Sequence, residues 1–332
     1  MIPSGSPPSR GVGEDGAVSA AIPSPIPHGR TARRLEWAHL PPVVRREIEQ
    51  HCGSPVVSAA TQGGGFTPGF ASVLTCEDGS RHFVKAASTA AQRPFAASYR
   101  EEARKLRALP DTIPAPRLLW TIDADWVVLG LEYVEARAPR RPWRVGELNA
   151  CLDTLETLAD LLTPCPPGLG LDPITDEMAT WPAFWDHVNG TRDLPHGDEA
   201  AALAADFAGS VAGETLVHTD VRDDNVLLAT DGRTLFCDWN WPTVGADWLD
   251  SLFMLIGPRG DGLDVEAVIA ERRLLSDVPP GHLDRALAVI CGYFLRSADE
   301  PVPPTSPYVR DVQRWQGEVV WGWLCERRGW QT

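Results

Sequence analysis

Between Leu216 and Asp238 the chain reads LVHTDVRDDNVLLATDGRTLFCD, and this stretch concentrates the side chains best suited to chemistry. The apolar run Thr215-Leu216-Val217 ends at His218, and Asp220, Arg222 and Asn225 follow at once. A second run, Val226-Leu227-Leu228, passes through the turn signal Asp231-Gly232 into Thr234-Leu235-Phe236-Cys237 and delivers Asp238. The pattern predicts a β-hairpin with polar groups at its ends. Such a set suits phosphoryl transfer, in which one carboxylate faces the attacking hydroxyl while an amide oxygen and a second carboxylate hold magnesium on nucleotide phosphates. Magnesium takes hard oxygen donors and keeps several waters, so one Asn and one Asp suffice. A plain turn at Asp223-Asp224 would account for some of these residues, but not for four spaced polar positions between buried-looking strands.

The elements that must face this hairpin lie upstream. From Val56 the pattern is that of strands: Val56 to Ala60, Ala71 to Thr75 and His82 to Ala86, with a hairpin turn at Glu77 to Ser80. Between the first two lies Gln62-Gly63-Gly64-Gly65-Phe66-Thr67-Pro68-Gly69, where missing Cβ atoms let backbone amides approach a phosphate. Gly64, Gly65 and Phe66 are the candidate contacts, although three glycines also make an ordinary loop. The third strand carries Lys85 at a buried-looking position, and a helix predicted over Phe95 to Leu109 carries Glu101 and Glu102. A buried ammonium needs an opposite charge. Glu102 keeps register with Leu106 and Leu109 and is the first choice, with Glu101 as the fallback. Strands predicted over Arg117 to Ile122 and Trp126 to Tyr133 lead to a hinge, Leu131-Glu132-Tyr133-Val134, whose main-chain groups at Glu132 and Val134 suit an adenine edge.

Beyond the hinge the pattern is helical: Val145 to Leu162, Ala183 to Val188, Glu199 to Ala212, Trp248 to Ile256, Val265 to Leu275, Leu283 to Arg296 and Val309 to Arg328. Trp181, Trp185, Asp186 and His187 are candidates for an acceptor pocket, though tryptophans four apart on a helix are also ordinary packing residues.

Composition bounds the reading. A chain of 332 residues can bury a sizeable core. A formal charge of −15 and the lack of a basic face argue against nucleic acid as a partner. Cysteines at 52, 76, 151, 165, 237, 291 and 325 form no Cys-x-x-Cys pair and have no histidine at zinc-finger spacing, so reduced thiols are expected. Neither an apolar run of membrane-spanning length nor a signal-peptide pattern stands out, so a cytoplasmic protein with no membrane partner is expected. Pro, Gly, Ser and Ala dominate residues 1–33, which read as a flexible tail.

His218-x-Asp220-x-x-x-x-Asn225, followed by Asp238-Trp239, resembles the catalytic and metal loops of the aminoglycoside phosphotransferase family, small-molecule relatives of the protein kinases. Gly64-Gly65-Phe66-Thr67-Pro68-Gly69, Gln316-Gly317-Glu318 and Gly329-Trp330 resemble its actinobacterial-type members. The resemblance implies an α+β, bilobal, protein-kinase-like fold: a small antiparallel-sheet N-lobe over 34–132 that clamps nucleotide, and a larger, mainly helical C-lobe over 133–332 for catalysis and acceptor binding. It implies Asp220 as catalytic base, Arg222 as a cation near the transferred phosphate, and Asn225 and Asp238 as Mg2+ ligands. Lys85, Glu102, Gly64, Gly65, Phe66, Glu132 and Val134 would serve the nucleotide, ATP or alternatively GTP. His218 would be a scaffold residue hydrogen-bonded to backbone near Asp238, and Asp250 a buttress for backbone amides. Thr219 stands where the family commonly has glycine, and it is expected to fit with φ kept negative. The implied partner is a small-molecule hydroxyl acceptor: an aminoglycoside or nucleoside antibiotic in resistance or self-protection, or alternatively a choline- or sugar-type metabolite. A kinase-like nucleotide-binding regulatory module is a further alternative, as is transfer of AMP on the same scaffold. Monomer and homodimer are both compatible.

Overall fold

The computed structural model describes residues 21–331. Two lobes follow one another in the chain, the second beginning after Glu132. The first begins with a single 3-10 turn at Trp37–His39 and helix α1 (Pro42–Cys52). Pro42 occupies the first turn of α1, where its missing N–H is no loss, and Gly53 ends it at φ 81°. Strands β1 (Val56–Thr61), β2 (Phe70–Cys76) and β3 (Arg81–Ser88) follow, then α2 (Arg93–Ala108), β4 (Leu118–Asp123) and β5 (Trp126–Glu132). The sheet order is β1-β2-β3-β5-β4, antiparallel throughout. One sheet face packs Phe70, Leu74, Val84 and Val128 against Leu40, Val44 and Ile48. The other packs Ala87 and Leu129 against Ala96, Tyr99 and Ala103 of α2. Lys85 and Glu102 sit on that second face, within the apolar layer.

The second lobe comprises β6 (Ala136–Arg137), α3 (Val145–Leu161), α4 (Ile174–Glu177), α5 (Phe184–Thr191), α6 (Gly197–Ala205) and α7 (Ala208–Val211). Then come β7 (Thr215–Val217), β8 (Val226–Ala229), β9 (Thr234–Phe236), β10 (Thr243–Gly245), α8 (Leu249–Met254), α9 (Ile256–Gly260), α10 (Val265–Glu271), α11 (Pro280–Ala298) and α12 (Val309–Arg328). The predicted hairpin is β8 with β9, which β6 extends to three strands, while β7 pairs separately with β10. α11 is buried along most of its length because α5, α6 and α12 all pack on it. The fold is thus α+β and bilobal: a five-stranded antiparallel sheet beside a mainly helical lobe. No helix among the described residues is long and apolar enough to cross a membrane.

Three expectations need correction. The helix expected over 199–212 is two helices, because the turn closes from Asp206 N–H to the Leu203 carbonyl and sends Phe207 into the core. The helix expected over 265–275 stops at Glu271. The segment expected to be a flexible tail is, from residue 21, packed chain; residues 1–20 lie outside the described residues. Ile26 and Thr31 are buried, Trp315 Nε1 donates to the Ile22 carbonyl at 2.7 Å, and Ile22 N–H donates to Gly260. Composition concealed this because the segment is held by main-chain bonds and two buried side chains rather than by a periodic apolar face.

Candidate active site

β3 sets Lys85 between Ala71 of β2 and Leu129 of β5 and sends its side chain under the sheet towards α2. There Nζ donates to Glu102 Oε1 at 2.7 Å and, across the lobes, to Asp238 Oδ1 at 3.0 Å. Glu101 instead turns outward and pairs with Arg104 at 2.9 Å. Burial alone lowers the pKa of the ammonium, yet the Asp238 and Glu102 carboxylates outweigh it and hold Lys85 above its ordinary value. Burial raises Glu102 despite the lysine, whereas for Asp238 the lysine overcomes burial and holds the carboxyl below the usual range.

β7 ends at Val217 against β10, and the loop that follows is fixed from beneath. Asp250, near the start of α8, accepts the His218 and Thr219 amides at 2.7 and 2.8 Å. His218 is 1% exposed; its Nε2 donates to the Cys237 carbonyl at 3.0 Å, and its ring meets Trp239 edge-on at 4.6 Å. His218 therefore lies in the scaffold beneath the loop. Thr219 departs from expectation: its φ is +64°, a region that strains a β-branched side chain. Two bonds hold it there, the amide to Asp250 and the hydroxyl to the Trp241 carbonyl at 2.7 Å.

Asp220 follows this bend and is half-buried. Its carboxylate accepts Arg222 Nη2 at 3.3 Å and Asn225 Nδ2 at 2.9 Å, and Arg222 Nε stands 3.0 Å away as an ion pair. Asn225 Nδ2 also donates to the Asp220 carbonyl at 2.8 Å, so its amide nitrogen is committed and its carbonyl oxygen is left for another partner. Asp238, at φ +68°, gives Oδ1 to Lys85 and to the Asn240 amide, leaving Oδ2. Arg222 also pairs with Asp224 at 3.3 Å; burial works against the guanidinium, but Asp220, Asp224 and Asp223 hold its pKa above the ordinary value.

Lys85, Asn225 and Asp238 share the wall of a cleft of about 470 Å³ with Gly64, Gly65, Glu132 and Val134. That volume is within the ordinary range for a small-molecule site. The cleft thus gathers nearly all the residues proposed for nucleotide and metal. Phe66 is the exception. Its ring lies 5.0 Å from the Arg222 guanidinium, and Ser306 Oγ donates to its carbonyl, so it packs on the C-lobe side of the glycine loop. The acceptor-pocket candidates also divide. Trp185 is fully buried and bonded to the Ala288 carbonyl at 3.0 Å, Asp186 is exposed, and His187 pairs with Asp299 at the surface. Trp181 stacks on Tyr293 at 4.1 Å. Burial raises the Tyr293 phenol, and the Asp220 carboxylate adds to this.

Sequence reasoning missed two cleft residues. Arg34 Nη2 donates to the Gly64 carbonyl at 2.6 Å, a contact from outside the lobe pattern that no motif announces. Asp224, read as a turn residue, is a half-buried cleft carboxylate whose pKa is raised by desolvation against the pull of Arg222. The double aspartate just before Asn225 was the available signal.

The family model described as Phosphotransferase enzyme family matches residues 70–272. No curated protein matches the sequence. Among solved structures, an aminoglycoside phosphotransferase from Alicyclobacillus acidocaldarius is 14% identical, with 89% of this chain and 97% of that one covered and a TM-score of 0.56. Choline kinase LicA from Streptococcus pneumoniae is 13% identical, with 84% and 98% covered and a TM-score of 0.56. Spectinomycin phosphotransferase APH(9)-Ia, in complex with ADP and spectinomycin, is 11% identical, with 84% and 96% covered and a TM-score of 0.60. At these identities the likeness is one of fold.

Proposed function

The chain belongs to the phosphotransferase enzyme family, as a small-molecule kinase, and from that premise we propose that it moves the γ-phosphate of ATP, or of GTP, to a hydroxyl of a small molecule in the cytoplasm. The carrying observation is the contact between lobes: Lys85 of β3 stands 3.0 Å from Asp238 of the C-lobe, on the wall of a cleft that also holds Asn225. Asp220 orients the acceptor hydroxyl and takes its proton. Lys85, kept charged by Glu102, contacts the nucleotide phosphates, and Arg222 faces the transferred group. Gly64 and Gly65 present backbone from above, and the hinge at Glu132 and Val134 meets the base through main-chain groups.

The donors present fit magnesium. The free Asn225 carbonyl oxygen and Asp238 Oδ2 are hard ligands opening on the same cleft, so these two residues would hold it. Bound there, the ion supplies positive charge to the phosphate oxygens.

For the acceptor we favour an aminoglycoside or nucleoside antibiotic, in resistance or self-protection. The spectinomycin complex of one neighbour supports this. The choline kinase neighbour supports a metabolic alcohol as the second reading. An ADP-release screen over antibiotics and metabolic alcohols with Mg-ATP and Mg-GTP tests the proposal. Asp220→Ala should abolish release at saturating acceptor with nucleotide affinity nearly intact. Undiminished turnover by that variant would remove Asp220 from its role, and pyrophosphate in place of ADP would mean AMP transfer.

A further inference from the structure

Away from the cleft, the N-lobe brings together three donors that the sequence keeps apart. Cys52 is the last residue of α1, Cys76 the last of β2 and His82 the second of β3, and one ligand atom from each lies within 4.8 Å of the other two. Two donors on a tetrahedral zinc, with Zn–S near 2.3 Å and Zn–N near 2.1 Å, stand about 3.6–3.8 Å apart. Small side-chain rotations therefore close the set.

The histidine is already arranged as metal ligands are. Its Nε2 lies 3.2 Å from Ser80 Oγ, and that hydroxyl donates to Asp78 Oδ1 at 2.7 Å. The serine hydrogen is thus spent on the aspartate, and its oxygen accepts Nε2–H. That fixes the tautomer and leaves the lone pair on Nδ1. His82 Nδ1 is buried and has no hydrogen-bond partner. A buried nitrogen lone pair without a partner is uncommon enough to need a reason, and two cysteine sulfurs lie within 4.8 Å of a nitrogen of this ring.

We propose that Cys52, Cys76 and His82 form a site for a thiophilic metal ion of the zinc class, bound by two thiolates and His82 Nδ1, with water in the fourth position. Binding replaces two S–H bonds by two metal–sulfur bonds and releases two protons for each divalent ion. The surroundings choose the kind of ion. Each thiol is a soft donor that must shed its proton to bind, and the Glu49 and Asp78 carboxylates stand near Cys52. A hard cation does not displace that proton, whereas a sulfur-seeking one does. The same two carboxylates favour positive charge at the site. Bound metal would pin the end of α1 to the β2–β3 hairpin, three residues before Lys85.

Metal-free protein titrated with zinc chloride should retain one zinc per chain through gel filtration and gain melting temperature. Cobalt(II) in its place should show thiolate-to-cobalt absorption in the near ultraviolet. His82→Gln should weaken zinc binding about tenfold or more, and Cys52→Ser with Cys76→Ser should abolish both signals. His82→Gln decides the matter alone if the double serine variant fails to fold. The proposal is overturned if zinc is not retained, if uptake is unchanged in His82→Gln, or if the protein purified without reductant is lighter by two hydrogens through a Cys52–Cys76 disulfide.

Discussion

Replacing Lys85 by methionine keeps the side chain's length, removes its charge and leaves Glu102, 1% exposed, facing Asp238 with no cation between them. An ionised carboxylate is not sustained in that setting, so Glu102 takes up a proton. Keeping a carboxyl protonated at pH 7 against an unfolded pKa near 4.3 costs about 3.7 kcal/mol, from roughly 2.7 units at about 1.36 kcal/mol each. At pH 5 the same requirement costs about 1 kcal/mol. The sign follows from the direction of the shift. Burial already raises Glu102 in the native protein, with Lys85 opposing, and the variant removes the opposition. A carboxyl raised by folding stabilises the native state fully below its unfolded pKa, and that contribution is lost as pH rises through the folded value. Lys85→Met should therefore lose more stability at pH 7 than at pH 5, with ceilings of about 3–4 kcal/mol and about 1 kcal/mol, because the parent's already raised Glu102 bears part of the same cost. Urea unfolding at the two pH values measures this, and adding Glu102→Leu should recover most of the loss at pH 7. Equal destabilisation at both pH values, or no recovery in the double variant, would refute the buried-pair argument.

Thr219→Gly relieves a left-handed backbone worth about 1–2 kcal/mol. It also loses the hydroxyl bond to Trp241, worth about 1 kcal/mol, and gains unfolded-state freedom, so its stability should stay within about 1 kcal/mol of the parent. Thr219→Ala keeps the strain and loses the bond, and should melt below the glycine variant. Asp250→Ala orphans the His218 and Thr219 amides beneath the proposed catalytic loop and should cost about 2–4 kcal/mol in chemical denaturation, with kcat falling alongside. Deleting residues 1–33 removes the Thr31 bonds to Gly63 and Gly65. That variant should show a lower Tm and a several-fold higher KM for nucleotide in steady-state assays.

The parts that were legible in the sequence are those whose chemistry and periodicity agree. A strand lysine and a helix glutamate in register with two leucines had one place to meet, and they meet at 2.7 Å. Asn225 and Asp238 frame a hairpin whose turn and alternation are both local signals. The rest depended on contacts remote in sequence. Phe66 turns to Arg222 because Ser306, 240 residues away, holds its carbonyl. Trp185 joins the core because Gly292 on α11 leaves room for its indole. The positive φ of Thr219 is imposed by Asp250 and Trp241, which no local propensity encodes. Cys52, Cys76 and His82 carry no motif spacing, and only the packing of α1 on the sheet reveals them.

The segment before α1 carries a mechanical consequence. Ile22 is fastened to Gly260 and Trp315, Thr31 to Gly63 and Gly65, and Arg33 to Thr305, so the glycine loop is buttoned to the larger lobe as well as jointed to it at the hinge. A jaw secured at two points does not swing freely. Release of spent nucleotide should proceed at the pace at which this clasp unfastens, so weakening the clasp would quicken exchange even where the grip on the phosphates is untouched.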